Sequence, residues 1–94
     1  PDLVAPGVNI QTAAVGGGYT FVTGTSFATP FVAGSAALLM EWGIVRGNSP
    51  YLYGEMLKAF LLAGASPMPG YDRYPNSVTG YGRLCLSNTL NRLI

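Results

Sequence analysis

The chain has 94 residues, room for one domain or a piece of one, since domains most often run to about 100–150 residues. Its net charge of +1 comes from Lys58, four arginines and four acids scattered without a run, which excludes a nucleic-acid or anionic-membrane surface as partner. Only 10% of residues are charged and 49% are hydrophobic, against about 25% charged in an ordinary domain, too few to cover a fold this small.

Residues Leu3 to Ala5 and Asn9 to Val15 are apolar or alternating around the Pro6-Gly7 turn, and Tyr19 to Thr23 follows the Gly16-Gly17-Gly18 loop. These read as short strands. From Ser26 to Trp42 alanines, leucines and a methionine accumulate, and the pattern predicts a long helix ending at Gly43. That helix is apolar nearly all round, which marks a central helix enclosed by protein. Ala33, Gly34, Ser35, Ala36 and Ala37 keep it slim. Its apolar stretch near Phe31 to Met40 falls short of the ~18 residues of a spanning helix, so no membrane partner is expected.

A second helix is predicted after Ser49 as N-cap, with Pro50 at the first helical position and Gly64 as a left-handed cap behind Ala63. Leu52, Met56, Phe60 and Ala63 form its expected apolar stripe. Pro67, Pro69, Gly70 and Pro75 punctuate a surface loop, Gly80 to Leu86 reads as a short closing strand, and Ser87 could cap a last short helix. Nothing at the N-terminus, which opens on Pro1, Asp2 and Leu3, has the basic and apolar regions of a signal peptide. The start is expected to lie in mid-fold.

The chain holds no histidine and one cysteine, Cys85. No internal disulfide or cysteine metal site can be built, no cofactor or metal is expected, and imidazole chemistry must be supplied from elsewhere. Cys85 is expected to be a buried core thiol.

Chemistry concentrates at Gly24-Thr25-Ser26-Phe27-Ala28-Thr29-Pro30. A nucleophilic serine needs a fixed, accessible hydroxyl beside donors that take up negative charge. A strand-to-helix junction provides both, because first-turn N–H groups are free and the helix dipole favours an oxyanion. Pro30 is expected to break no helical bond there. The plain alternative is that Ser26 is an N-cap without a catalytic role. Asp2 reads as a turn residue, Glu41 and Glu55 as solvated faces without a second carboxylate at useful spacing, and no lysine stands three residues after Ser26.

The run Gly24 to Gly34 resembles the serine signature of the subtilisin family. Pro1-Asp2-Leu3-Val4-Ala5-Pro6-Gly7 resembles the strand and turn that precede it there, and Gly80-Tyr81-Gly82-Arg83-Leu84 resembles the family's closing segment. Trp42 to Asn48 looks more particularly like the clostridial spore-germination protease branch. The resemblance implies an α/β fold, with residues 1–94 as the C-terminal part of a subtilisin-like three-layer peptidase domain: short strands, the buried central helix, a second helix, a short closing strand and a helix.

It also implies a serine endopeptidase that attacks peptide or protein substrates through an acyl-enzyme on Ser26, with a triad aspartate and histidine upstream of Pro1. Thr25, Ser26 and Phe27 would then form the oxyanion and substrate side, Phe27 bordering the leaving group. The sequence departs from the family's commonest wording at Phe27, often methionine, and at Phe31, usually histidine. The segment alone would be inactive, with the upstream part of its own domain as its partner, or would self-associate. An extracellular or spore-associated bacterial location is implied. The alternatives are a catalytically dead homologue acting in binding or sensing, and an independent module that self-associates to cover its apolar faces.

Overall fold

The computed structural model describes Pro1–Ile94. Alternation and a glycine turn build its first element: β1 (Ile10–Ala13) pairs antiparallel with β2 (Tyr19–Val22), Ile10 opposite Val22 and Ala13 opposite Tyr19. Gly16, Gly17 and Gly18 form the tip, all at positive φ, where only glycine turns without strain. The expected strand at Leu3 to Ala5 is reduced to one bridge, Val4 beside Arg83.

Helix α1 runs Thr25–Met40, and a π-helical segment, Glu41–Val45, continues it. The expected stop at Gly43 is therefore corrected. Gly43 is buried inside the π segment, and a methyl there would come within 2.8 Å of the Ser49 carbonyl. Its carbonyl in turn accepts the Ser49 N–H at 3.0 Å. The glycine admits the following turn; it does not end the helix. The continuous run of 21 residues also exceeds the short stretch expected, and by length and composition it could cross a membrane, as enclosed core helices could.

Helix α2 spans Gly54–Ala63 with Tyr53 as N-cap, not Ser49, because Ser49 to Tyr51 is used in the turn that packs on Gly43. The later start shifts the buried stripe to Leu57 and Leu61, leaving Met56 40% exposed. Gly64 is right-handed, φ −86°, so the left-handed cap is also corrected. Helix α3 (Leu86–Leu93) begins from Cys85, not Ser87. The closing strand expected at Gly80 to Leu86 is reduced to isolated bridges at Arg83, beside Val4 and Ser66, because Tyr81 lies in a turn and Gly82 at φ 117° breaks the run: Tyr81 N–H donates to the Asp2 carbonyl, Leu84 N–H to the Val4 carbonyl, and Arg83 and Ser66 exchange both backbone bonds.

The surface loop expected at Pro67 to Pro75 is tied down by Tyr74, whose hydroxyl accepts the Met68 N–H at 2.6 Å and donates to the Tyr71 carbonyl at 2.9 Å. Asn76 Oδ1 then accepts the Val78 and Thr79 N–H groups and the Thr79 hydroxyl.

The core is small. Leu39, Leu52, Leu57 and Leu61 are its buried apolar residues, with Leu3, Val32, Trp42, Leu84 and Leu90 among those packed partly against them. Leu39 is the one buried residue of α1, so these 94 residues do not by themselves enclose the helix. The slab measures 40 × 36 × 19 Å with a radius of gyration of 14.8 Å, above the ~12 Å of a compact chain this long.

Candidate active site

The junction between β2 and α1 holds the three residues singled out by the sequence. Gly24 is the N-cap of α1, at φ 151°, ψ 161°, a backbone region open essentially to glycine alone. Its conformation lets the chain leave the hairpin and enter the helix within one residue. Thr25 and Ser26 are then the first two helical residues, and Phe27 N–H donates back to the Gly24 carbonyl at 3.1 Å.

Ser26 is exposed and is not the N-cap, and no side chain caps this end. The plain capping role is thus removed for Ser26. Its N–H lies among the first-turn donors that have no intrahelical acceptor, at the positive end of the helix dipole. Pro30 departs from expectation: it lies inside α1, four residues after Ser26, so the Ser26 carbonyl has no i+4 N–H to accept. The neighbouring Thr25 carbonyl accepts the Thr29 hydroxyl at 3.0 Å.

Thr25 is exposed. Phe27 is 37% exposed and Phe31, one turn on, 43%. Together with Ile10, Thr12 and Pro30 they line an open, mostly apolar groove of about 230 Å³ between the hairpin and α1. A histidine at Phe31 would have placed a titratable group in this groove.

The acids lie elsewhere. Asp2 meets Lys58 at 3.0 Å and Glu41 meets Arg46 at 3.5 Å, both pairs exposed. Glu55 is in the first turn of α2, where a carboxylate suits the helix dipole. No three His, Cys, Asp or Glu side chains come together. The chain has no histidine, so the junction presents an exposed Ser26 hydroxyl and free first-turn N–H groups without an imidazole base beside them.

Cys85 is half-buried at the start of α3, not a core thiol. Its sulfur lies 3.4 Å from the Ser87 hydroxyl, and that hydrogen bond foremost, with the polar groups of Asn88 and Ser66 nearby, holds its pKa below the ordinary thiol value.

Three residues at the junction carry geometry that the sequence reading did not isolate: Gly7, Asn9 and Thr23. The Pro6-Gly7 pair was the available signal. What Gly7 touches, Gly24 and Ala28, is visible only in the fold.

Residues 1–82 match the subtilase family. The chain is 45% identical over 62 residues, 66% of its length, to the PII-type proteinase of Lactococcus lactis subsp. cremoris, and spans 3% of that protein. It is 40% identical over 70 residues to the intracellular serine protease of Paenibacillus polymyxa, covering 70% of this chain and 22% of the relative. Among solved structures, the Clostridium perfringens CspB protease superposes with a TM-score of 0.94 at 48% identity, over 99% of this chain and 20% of that one.

Proposed function

The chain belongs to the subtilase family, and we propose that it carries the nucleophile of a serine endopeptidase, with Ser26 attacking the scissile carbonyl of a peptide or protein substrate. One observation carries the reading: Ser26 stands exposed at the second position of α1, behind a Gly24 whose backbone only glycine adopts, and is not spent on capping its helix. A hydroxyl presented this way, beside its own first-turn N–H, suits formation of an acyl-enzyme with the oxyanion held by that N–H.

In the mechanism a histidine, itself oriented by an aspartate, takes the Ser26 proton as the tetrahedral intermediate forms, then delivers it to the leaving amine; water reverses the sequence. The histidine must come from parts of the full-length protein outside these 94 residues, and the aspartate that orients it is read as coming from there too. Ser26 N–H stabilises the oxyanion, and Thr25 and Phe27 flank the reacting bond, Phe27 on the leaving-group side. No step calls for a metal or cofactor.

We read the segment as the C-terminal portion of a larger peptidase domain. The thin slab and the exposed apolar residues of α1 and its extension, among them Leu38 at 57% and Val45 at 78%, fit a surface that other parts of the domain cover. The α1 run is then a core helix and not a membrane span. The likeness to the Clostridium perfringens protease supports the clostridial branch suggested by Trp42 to Asn48, and with it a spore-associated or extracellular setting.

The second reading is a homologue that keeps this serine but lacks an upstream triad residue, and binds or senses without cleaving. Labelling of the full-length protein with a serine-directed fluorophosphonate separates the two. Modification mapped to Ser26, lost in Ser26→Ala together with turnover, is expected. An unlabelled Ser26 in folded protein selects the inactive homologue.

A further inference from the structure

Three contacts tie one short segment, residues 7–9, to the backbone just ahead of Ser26. Gly24 N–H donates to the Gly7 carbonyl at 2.7 Å. Asn9 N–H donates to Thr23 Oγ1 at 3.0 Å. A methyl on Gly7 would lie 2.9 Å from the Gly24 carbonyl oxygen and 3.2 Å from Ala28 Cβ, so these backbones touch because Gly7 has no side chain.

The sheet register explains why Thr23 takes part. The regular β1–β2 ladder ends at Ile10 opposite Val22, and at the next position the Thr23 hydroxyl, not its backbone, receives the Asn9 N–H. Asn9 meets it from φ 52°, a left-handed conformation that asparagine tolerates better than most residues. The Thr23 and Gly24 backbone is thereby free to turn out of the hairpin. The Gly24 carbonyl against which Gly7 packs is the same one that accepts Phe27 N–H, so its position sets the first turn, with Ser26 inside it.

We propose that Gly7 and Thr23 are positioning residues for the Ser26 hydroxyl: residues 7–9 form a strut that fixes Gly24 and, through it, the turn that presents the nucleophile. The proposal rests on the reading of Ser26 given above. Attack on a carbonyl depends steeply on alignment, a misplacement of about 1 Å costing on the order of 10²-fold in rate. The atom that an added methyl at Gly7 meets is a backbone carbonyl, which can yield only by moving the helix start.

The test uses the full-length protein, with kcat, KM, phosphonylation rate at Ser26 and thermal midpoint measured for Gly7→Ala, Thr23→Val, Thr23→Ser and Gly16→Ala. Gly7→Ala is expected to lower kcat and phosphonylation by about 10–100-fold with KM nearly unchanged. Thr23→Val, which deletes one hydrogen-bond acceptor, is expected to lower both by about 2–10-fold, and Thr23→Ser to restore them. Gly16→Ala is the control for backbone strain alone: Gly16 has φ 85° and open space around it, so its thermal midpoint falls while kcat stays. Should Gly7→Ala not fold, the Thr23 pair decides. Parental kcat and phosphonylation in Thr23→Val, or a loss confined to KM or to the thermal midpoint, overturns the strut while leaving Ser26 as nucleophile. Full turnover in Ser26→Ala overturns both.

Discussion

Gly64 lies against Thr89 so closely that a methyl on Gly64 would come within 2.6 Å of the Thr89 backbone nitrogen. The two residues also share an acceptor, the Phe60 carbonyl, which takes the Gly64 N–H at 3.1 Å and the Thr89 hydroxyl at 3.2 Å. This contact docks α3 on the end of α2. Thr89 is fully buried there, its hydroxyl satisfied by the Phe60 and Cys85 carbonyls.

Gly64→Ala is therefore expected to destabilise the protein by about 1–3 kcal/mol or more, the usual range for overpacking. Thermal or urea melts against the parent check it. An unchanged melt would show that α3 shifts away freely and that the contact is not structural.

Gly34 gives the opposite result in the segment and a similar one in the whole. A methyl there meets nothing within 4 Å in these 94 residues, so the segment's own packing opposes no side chain at its Cβ. In the full-length protein Gly34→Leu is expected to cost about 1–3 kcal/mol or more, because other parts of the domain would cover α1. Equal melting of parent and variant in the full-length protein would mean that this face of α1 stays open.

The Cys85 thiol is predicted to ionise below the ordinary thiol range, the Ser87 hydrogen bond being the leading cause. Iodoacetamide alkylation should rise at lower pH than for a free thiol, and Ser87→Ala should move the profile back up. The linkage sign follows: a depressed folded pKa gives stability that is present above the unfolded thiol's value and lost as pH falls through the folded one. An alkylation profile matching a free cysteine would contradict the hydrogen-bonded geometry.

Ser26→Ala in the full-length protein is expected to abolish peptidase turnover, leaving at most the ~10³ to 10⁴-fold over water that binding and the oxyanion site supply without the nucleophile. Turnover assays on a peptide panel with product mapping decide it. A variant with parental rate and products would remove Ser26 from the chemistry.

The isolated 94-residue chain is expected to show no turnover and to associate or bind ANS. It has no histidine to accept the Ser26 proton, and helix-dipole assistance, typically below ~2 kcal/mol, cannot replace a general base. Val45, Leu38, Phe31 and Ile44 are also exposed on the run from α1 into the π segment, surface that favours association. Size-exclusion chromatography, ANS fluorescence and a fluorogenic substrate test this together. A compact, ANS-silent monomer with steady turnover would refute both halves.

The sequence by itself determined the features that local chemistry controls. Three consecutive glycines fixed the hairpin tip between β1 and β2, the small-residue run fixed a long helix, and Gly24-Thr25-Ser26 marked the junction where it starts. Tertiary structure decided what each remaining glycine and helix face is for. Gly43 and Gly64 read as helix terminators, yet one admits the Ser49 turn and the other Thr89, at ordinary or helical φ. Gly7 read as part of a turn, yet its missing side chain is what lets Gly24 and Ala28 approach. Glycine is selected either for a backbone angle that other residues avoid or for the space where a side chain would be. The first need is set by immediate neighbours and is legible in sequence; the second depends on which distant segment folds against it. The same reason hid the true stripe of α2, since only the turn on Gly43 delays that helix to Gly54 and turns Leu57 and Leu61 inward.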